Sequence, residues 1–230
     1  MQMNAQELAA MLPPNSVLAA CSLDELADLL SASSVHNMKV GEAILRQGDE
    51  GESAVVILAG IARVAMIAPN GQEIVLDYAE RGAVLGEIAL LDGLPRTASA
   101  TARYAGRYLR IGRAAFERLV ENHPKVALRM LRDMARRLRD TDTTIESDRA
   151  FGAGPRLARF LKRLTEKNTD GHRLEGDLSQ GELGNFVGMS RENINRQLAA
   201  WAEAGVIELS GGRVRIVDEA YLAQIAEAGD

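Results

Sequence analysis

The sequence predicts an α+β protein in which an all-β unit is followed by a long helix and then by a second unit of short helices and a β-hairpin. Between Met38 and Ile111, short runs of Val, Ile, Leu and Ala are broken by glycines, a pattern typical of closely spaced strands. From Pro124 the chain contains no further Pro or Gly until Gly152, which indicates one long helix. Helical patterns and a glycine-centred hairpin fill the remainder.

Length and composition exclude several classes of protein. The chain has 230 residues, 47% of them hydrophobic and 26% charged, as expected of a globular protein with a buried core. No apolar run approaches the roughly 18 residues of a membrane span. No basic stretch leads into an apolar one near Met1, so we expect a cytoplasmic protein without membrane contact. The single cysteine, Cys21, excludes an internal disulfide or a cysteine-rich metal site and is expected to be a small buried hydrophobe.

Charge and histidine placement favour binding over catalysis. The formal net charge is −5, so nucleic-acid binding has to depend on the placement of particular arginines and not on a basic surface. The three histidines, His36, His123 and His172, lack metal-ligand spacing. The sequence contains no P-loop, dinucleotide fingerprint or nucleophile elbow. We therefore expect no enzymatic activity.

Two helices are predicted to flank the all-β unit. Ser22, with Glu25 three residues later, forms a capping-box pattern and predicts a helix over residues 22–30. On the other side, residues 114–120 have the pattern of a short helix.

One hairpin within the all-β unit is predicted from its turn. Asn70 and Gly71 separate two strand patterns, residues 62–67 and 73–78. Because both turn residues accept positive φ, the pair predicts a two-residue hairpin connection.

The long helix carries an apolar seam with alternating spacings of four and three residues. Its members are Ala127, Leu131, Met134, Leu138, Thr141 and Ile145. Such a seam indicates a partner helix, and we favour a parallel homodimer. The alternative is that the helix packs only on its own domain, because the seam covers fewer heptads than an isolated coiled coil needs.

A break at Gly152–Pro155 ends the long helix and marks the main predicted boundary. We predict an N-terminal domain over residues 1–123, a dimerisation helix over 124–151 and a C-terminal domain over 152–230.

The C-terminal domain has the pattern of a helix-turn-helix followed by a two-stranded wing. Ser179 and Glu182 form a capping box, Gly188 makes the turn, and Ser190 caps the second helix. The wing is the hairpin predicted over residues 206–217, after helices at 156–166, 179–187 and 190–204.

At about 100° per residue, the second helix separates a polar face from an apolar one. The polar face comprises Arg191, Glu192, Asn195 and Arg196, and the apolar face comprises Ile194, Leu198 and Trp201. Arginine can donate two hydrogen bonds to guanine and glutamate can accept one from cytosine, so this face predicts reading of G·C-containing major-groove edges. The alternative is a solvated charged face. The residues placed for phosphate contact are Ser179, Gln180, Ser190 and Arg213, and each also suits a cap or a surface role.

A second constellation lies between Gly86 and Ala98, here called the cassette segment. Arg96 can pair with the single negative charge of a cyclic phosphodiester, while backbone N–H groups and the Thr97 hydroxyl add donors. The Glu87 carboxylate suits a ribose 2′-hydroxyl, and Gly86 lets the backbone approach the sugar. The alternative is a structural ion pair between Glu87 and Arg96 beside a bend.

Over nearly its whole length the chain resembles the cAMP receptor protein and FNR family of bacterial transcription regulators. Residues 190–196, Ser-Arg-Glu-Asn-Ile-Asn-Arg, are similar to the family's recognition helix. The resemblance implies that Arg191, Glu192 and Arg196 read bases in half-sites similar to TGTGA, arranged as an inverted repeat in double-stranded DNA. It also implies an N-terminal β-roll (double-stranded β-helix), a homodimer, and RNA polymerase as a partner.

The cassette segment resembles the phosphate-binding cassette of cyclic-nucleotide-binding domains at Gly86, Glu87, Arg96 and Thr97. This resemblance implies cAMP as an allosteric ligand and no catalytic cofactor. The further ligand residues that it implies are Val64, Leu76 and Ile88 around the pocket, Arg137 as a transmitter of the ligand signal together with Glu87, and Thr141 against the purine.

Asp142 departs from the family pattern, because the cAMP receptor protein has serine there. A carboxylate accepts from the amino group of adenine but is better matched to the paired donors of guanine, so cAMP and cGMP both stay open. Asp142 also fits a solvated helix position.

Two other functions are consistent with the sequence. One is a cyclic-nucleotide sensor that acts through protein contacts and not through DNA. The other is a constitutive DNA-binding factor with a vestigial pocket.

Overall fold

The computed structural model describes residues 3–167, 183, 191–210 and 213–227. The chain divides into two compact units, Met1–Arg137 and Leu138–Asp230, which we call the N-terminal and C-terminal units. The division falls within the long helix, whereas the sequence predicts a boundary at Gly152. The three predicted functional domains stay a prediction.

The N-terminal unit is an antiparallel sheet surrounded by helices, which confirms the predicted all-β unit and its flanking helices. The strands are β1 Ser33–Met38, β2 Ala43–Leu45, β3 Ser53–Ile67, β4 Glu73–Ala79, β5 Val84–Leu85 and β6 Ser99–Gly112. The helices are α1 Ala5–Met11, a 3₁₀ turn Val17–Ala20, α2 Leu23–Ser31, α3 Glu87–Asp92, α4 Arg113–Asn122 and the start of α5 Pro124–Ala150. Helix α1 is an addition to the predicted elements.

Strand β3 lies at the centre of this unit and is buried on both faces. The sheet order is β1-β6-β3-β4, with β2 paired to β6 and β5 paired to β3. Ala54, Val56 and Leu58 pack in a cluster formed with the helices, while Val55 and Ile57 pack in a second cluster among the strands. Two-sided burial explains why residues 54–59 of this strand form an unbroken apolar run in the sequence.

The predicted hairpin is present between β3 and β4, but its predicted turn is wrong. Gly71 has φ +82°, whereas Asn70 does not have positive φ. Ala68 N donates to Gln72 O at 2.8 Å and Gly71 N donates to Ala68 O at 2.8 Å, so the loop has three residues. Pro69 fixes φ near −65°, which excludes the left-handed start of a two-residue primed turn and favours a type I turn followed by a left-handed glycine.

Helix α2 begins at the predicted capping box. Ser22 N donates to Glu25 Oε2 at 2.6 Å, and Glu25 N donates to Ser22 Oγ at 3.3 Å. Cys21, directly before the cap, is half-buried against the helical core cluster, and burial raises the pKa of its thiol to about 11. The thiol is therefore protonated at neutral pH and packs as the sequence predicts.

Helix α5 shows both faces that the sequence left as alternatives. Val126 and Met130 are buried in the core of the N-terminal unit, and Met134 packs against the same core. Met134 is therefore a core contact, contrary to its predicted place in a free seam. The exposed large apolar residues in the described part of the helix are Leu128, Leu131, Leu138 and Ile145.

Besides the end of α5, the C-terminal unit contains five elements whose bounds the structure describes. They are α6 Ala153–Lys167, α7 Arg191–Glu203, the hairpin strands β7 Ile207–Ser210 and β8 Arg213–Ile216, and α8 Glu219–Glu227. The pairing of Ser210 with Arg213 confirms the predicted hairpin. The predicted helix over residues 179–187 and the turn at Gly188 lie outside the described residues, except that Leu183 is helical and buried. Among the helices that the structure describes, none is long and apolar enough to span a membrane.

Candidate functional site

The cassette segment begins with a backbone conformation that requires glycine. Gly86 has φ +80° and ψ 5°, and helix α3 follows it directly. A Cβ at this position would contact Arg96 Nη1 and would lie 3.0 Å from Leu45 Cδ1. The left-handed φ and the close packing together explain why the sequence has no side chain here.

Arg96 lies in a cradle of backbone carbonyl groups. In the guanidinium group, Nη2 donates to Ser53 O at 2.7 Å and Nη1 donates to Gly86 O at 3.4 Å. The backbone N–H of Arg96 donates to Asp49 O at 2.9 Å. The residue as a whole is 8% exposed. No carboxylate forms an ion pair with it among the described residues.

The electrostatics of Arg96 favour an anion. Burial, followed by the positive charge of Arg110, lowers the pKa of the Arg96 guanidinium, whereas Asp49 and Glu87 raise it. An arginine remains cationic even when its pKa is lowered. A buried cation with carbonyl partners alone is stabilised by any anion that enters beside it.

Glu87, the first residue of α3, is 3% exposed and pairs with Arg137. Arg137 Nη1 lies 2.7 Å from Glu87 Oε1, and Arg137 Nη2 lies 2.9 Å from Asp133 Oδ2 and donates to Val84 O at 3.0 Å. The alternative of a Glu87–Arg96 ion pair is therefore wrong. Burial raises the pKa of the Glu87 carboxyl, and the positive charge of Arg137 opposes this shift.

Strands β3 and β4 bring two predicted apolar residues together. Val64 pairs with Asp77 and Ala65 pairs with Val75, so a β-bulge leaves Leu76 as the extra residue beside Val64. Val64 is half-buried against the strand cluster, and Leu76 is 47% exposed.

Two other predicted ligand residues of the N-terminal unit are exposed. Ile88 in α3 is 39% exposed. Thr97 follows the buried Arg96 and is itself exposed. Its hydroxyl makes no hydrogen bond within the described part of the chain.

The structure adds residues that the sequence analysis missed. Arg113 donates to the Leu90 carbonyl at 3.0 Å and to the Gly51 carbonyl at 2.6 Å, which secures the end of the short helix α3. A Cβ on Gly51 would lie 2.5 Å from Ala89 Cβ, so this loop can approach α3 only with glycine. These contacts join distant parts of the chain and leave no local sequence signal.

Thr141 and Asp142 lie on α5, beyond the Arg137 end of the N-terminal unit. Both belong to the C-terminal unit, and both are exposed.

Helix α7 has the two faces that its periodicity predicts. Ile194 and Leu198 are fully buried and Trp201 is 5% exposed, which confirms the apolar rear face. Glu192, Asn195 and Arg196 are exposed on the polar face. Arg196 Nη2 donates to Asn193 Oδ1 at 2.7 Å.

The remaining predicted DNA contacts are placed only in part. The structure describes the backbone of Arg191 at the start of α7 and of Arg213 at the start of β8. Ser179, Gln180 and Ser190 lie outside the described residues. On the wing, Glu208 of β7 accepts a hydrogen bond from Arg215 Nε of β8 at 3.1 Å.

Two family models match separate parts of the chain. Residues 35–123 match the cyclic nucleotide-binding domain, and residues 155–225 match the Crp-like helix-turn-helix domain. The first range contains the cassette segment, and the second contains helix α7 and the wing.

Similar proteins match this chain along most of their length. The CRP-like cAMP-activated global transcriptional regulator of Mycobacterium tuberculosis is 33% identical over 191 residues, which cover 81% of this chain and 85% of that protein. The cyclic AMP receptor protein of Thermus thermophilus is 33% identical over 189 residues, with the same coverage of each chain.

Solved structures give the same fold. The c-di-GMP-responsive global regulator CLP of Xanthomonas campestris has a TM-score of 0.75 at 20% identity, over 85% of this chain and 99% of that chain. The catabolite activator protein of Thermus thermophilus has a TM-score of 0.51 at 29% identity, over 92% of this chain and 98% of that chain.

Proposed function

We propose a function for this chain, which belongs to the cAMP receptor protein and FNR family of cyclic-nucleotide-binding transcription regulators. It is a homodimeric regulator that binds specific DNA sequences. A cyclic mononucleotide controls this binding, with cAMP as the favoured ligand. The cassette segment binds the nucleotide and helix α7 reads the DNA. RNA polymerase is the further partner that the family resemblance implies.

Arg96 is the observation that carries the proposal. Its guanidinium is buried, is held by the carbonyls of Ser53 and Gly86, and has no carboxylate partner among the described residues. The single charge of a cyclic phosphodiester supplies the missing anion. Because the carbonyls hold the guanidinium in place before the ligand arrives, little conformational entropy is lost on binding.

The neighbouring residues complete a nucleotide site. Thr97 offers a hydroxyl without a partner among the described residues and supplies a further donor to the phosphate. The Glu87 carboxylate, which pairs with Arg137 in this structure, is placed to accept from the ribose 2′-hydroxyl. Val64, Leu76 and Ile88 supply apolar contacts.

The pair Glu87–Arg137 links this site to helix α5. A ligand hydroxyl that competes for Glu87 changes the partner set of Arg137, which also contacts Asp133 and the Val84 carbonyl. Since α5 runs without a break from Pro124 to Ala150, a change at Arg137 alters the helix that leads into the C-terminal unit. We propose this as the first step of gating, by a shift between two helix arrangements.

Exposed leucines on α5 support a homodimer. Leu131 and Leu138 are each 63% exposed and Ile145 is 46% exposed, at spacings of seven residues. A seven-residue repeat places them on one face of the helix, where a second copy of α5 covers them. Thr141 and Asp142 lie between these residues, so the same helix carries the residues proposed to contact the base.

The relative affinities for cAMP and cGMP test the role of Asp142. If binding of cAMP is stronger than that of cGMP, Asp142 is a tolerated variant. Preference for cGMP makes it a base selector, because guanine presents paired donors to a carboxylate. Isothermal titration with each nucleotide measures this directly.

Operator binding in the presence and absence of cAMP tests the gating. A duplex with inverted TGTGA half-sites about 34 Å apart matches a dimer that places its two reading helices one DNA turn apart. At fixed salt we expect tighter binding with cAMP than without it. Equal affinity overturns gating and supports the constitutive alternative, in which Arg96→Ala also leaves DNA binding unchanged.

Substitution in helix α7 separates DNA reading from a protein-contact sensor. Arg191→Ala combined with Arg196→Ala should weaken operator binding by about 1 to 3 kcal/mol per lost base contact. Unchanged operator affinity with retained cAMP binding favours the sensor.

The dimer is tested by its size in solution. Leu131→Glu combined with Leu138→Glu should convert the protein to a monomer, measured by sedimentation, because two carboxylates would be buried in the interface. Lys125→Glu, an exposed change on the same helix, is the matched control and should leave the dimer intact. A Leu131→Glu/Leu138→Glu protein that stays dimeric contradicts the proposed interface.

A further inference from the structure

One guanidinium in the C-terminal unit joins three parts of the chain. The Cζ atom of Arg159, on α6, lies 3.6 Å from the ring centroid of Phe151, the residue that follows α5. Arg159 Nε donates to the carbonyl of Ala226 at 2.6 Å. Ala226 is buried in the last turn of α8. We call Phe151, Arg159 and Ala226 the Arg159 junction.

Each contact of the Arg159 junction uses a property of arginine. The last carbonyls of a helix have no partner within it, and a cation at that end interacts favourably with the helix dipole. The planar guanidinium can stack on an aromatic ring while its edge donates a hydrogen bond, whereas a lysine ammonium is a compact point charge without a planar face to stack. The half-buried position of Arg159 and Phe151 strengthens both contacts.

The other end of α8 is tied to helix α7. The carbonyl of Val206 accepts from Val217 N at 2.9 Å and from Asp218 N at 3.1 Å. Val206 N in turn donates to the carbonyl of Trp201, in α7, at 2.9 Å. Asp218 also accepts from Tyr221 N at 2.8 Å and so caps the first turn of α8. The start of α8 is therefore bonded to the end of the DNA-reading helix.

Between these two ends, α8 packs against α6. Leu222 of α8 is buried, as are Leu157 and Phe160 of α6. A helix that is bonded at both ends and packed along its length moves as one body, because packed interiors deform little.

We propose that α8 holds the reading helix α7 in position relative to the α5–α6 junction, and that Arg159 is the residue that positions α8. We call this the positioning role of α8. The inference rests on the proposed role of α7 in DNA reading. Arg159 itself touches no base; it acts through Phe151 and α8.

The test compares Arg159→Lys with Arg139→Lys in the full-length protein. Arg139 is an exposed arginine on α5 and receives the same substitution as a matched control. With saturating cAMP, Arg159→Lys should weaken operator affinity by at least about threefold, because lysine has neither the planar face that stacks on Phe151 nor the Nε donor, while Arg139→Lys leaves the affinity unchanged. Fluorescence of Trp201, the only tryptophan, reports whether the C-terminal unit remains folded in each variant.

A double-mutant cycle isolates the contact itself. Phe151→Leu and Arg159→Met should weaken operator binding non-additively, with a shortfall of at least about threefold in the double variant. Additive effects, or an Arg159→Lys variant with wild-type operator affinity, overturn the positioning role of α8.

A DNA-independent measurement separates this inference from the proposed function. Amide hydrogen exchange at Val206 should be faster in Arg159→Lys than in the wild type, because the α7–α8 connection opens more often. If the wild type fails to bind the operator, the proposed DNA reading is wrong. The exchange experiment still tests the positioning role of α8. Faster Val206 exchange in Arg159→Lys supports this role, and unchanged exchange overturns it.

Discussion

The cassette segment and helix α7 both present arginine, but in opposite surroundings. Arg96 is 8% exposed and is held by carbonyls from three separate loops and strands. Arg196 is exposed, and its partner among the described residues is Asn193, three residues away on the same helix. The first arginine is fixed by tertiary structure and the second by helix periodicity.

This difference predicts how each site fails when it is altered. Changes in the cassette segment should affect ligand binding and folding together, because its polar groups are part of the packed interior. Changes on the polar face of α7 should affect DNA binding alone, because substitution of exposed residues away from caps and cores alters stability little.

The largest effect is expected at Arg96. Arg96→Ala should weaken cAMP binding by at least about 100-fold, because removal of one partner of a buried charge pair costs several kcal/mol. Isothermal titration measures the loss, and Arg196→Ala is the control with unchanged cAMP affinity. An Arg96→Ala protein that binds cAMP normally would contradict the proposed role of Arg96 in nucleotide binding.

Substitution of Arg196 should have the next largest effect, on DNA binding only. Arg196→Ala should weaken operator binding by about 1 to 3 kcal/mol and relax the preference at one base position. Fluorescence anisotropy with base-substituted operators measures both quantities at fixed salt. A parallel fall in the free energy of unfolding would contradict the contrast drawn between the two sites.

Gly86 offers a sharper test with a built-in control. Gly86 has φ +80° and Gly71 has φ +82°. Substitution of either glycine by alanine places a side chain in this left-handed region, which costs about 1 to 2 kcal/mol of stability. Only Gly86→Ala also meets neighbouring atoms, Arg96 Nη1 and Leu45 Cδ1. We expect urea denaturation to show a larger loss for Gly86→Ala, together with weaker cAMP binding; equal losses would mean that packing at the cassette adds nothing.

The smallest effect concerns the pH dependence set by Glu87. Because burial raises the pKa of this carboxyl in the folded state, the folded protein binds its proton more tightly than the unfolded chain does. The stability that Glu87 contributes is therefore greatest below its unfolded pKa, about 4.3, and decreases as pH rises through the folded value.

Urea denaturation at a series of pH values from about 4.3 upward measures the difference in the free energy of unfolding between the wild type and Glu87→Gln. The wild type should lose stability relative to Glu87→Gln as pH rises, by at most about 1.4 kcal/mol per pH unit. The opposite slope would show that Arg137 outweighs burial at this carboxyl.

Much of the fold followed from local patterns. The capping box at Ser22 and Glu25 and the apolar positions Ile194, Leu198 and Trp201 were all predictable, because caps and helix faces depend on residues three or four apart. The turn at Asn70 was predicted wrongly, since Pro69 restricts the same loop and selects a different turn.

The partners of the charged residues were decided by the tertiary structure. Sequence spacing suggested Glu87 with Arg96, but Glu87 pairs with Arg137, fifty positions away, and Arg96 is held by backbone carbonyls. No local pattern encodes such contacts, because they depend on which strands and helices pack together.

The sequence by itself determined the fold class, the family and the two faces of helix α7, since these depend on short-range periodicity and motif spacing. Only the tertiary structure decided that Met134 belongs to the core, that Arg96 lacks a carboxylate partner in the described chain, and that Arg159 joins Phe151 to α8. The physical reason is that burial and pairing are properties of the folded interior, where residues distant in sequence become neighbours.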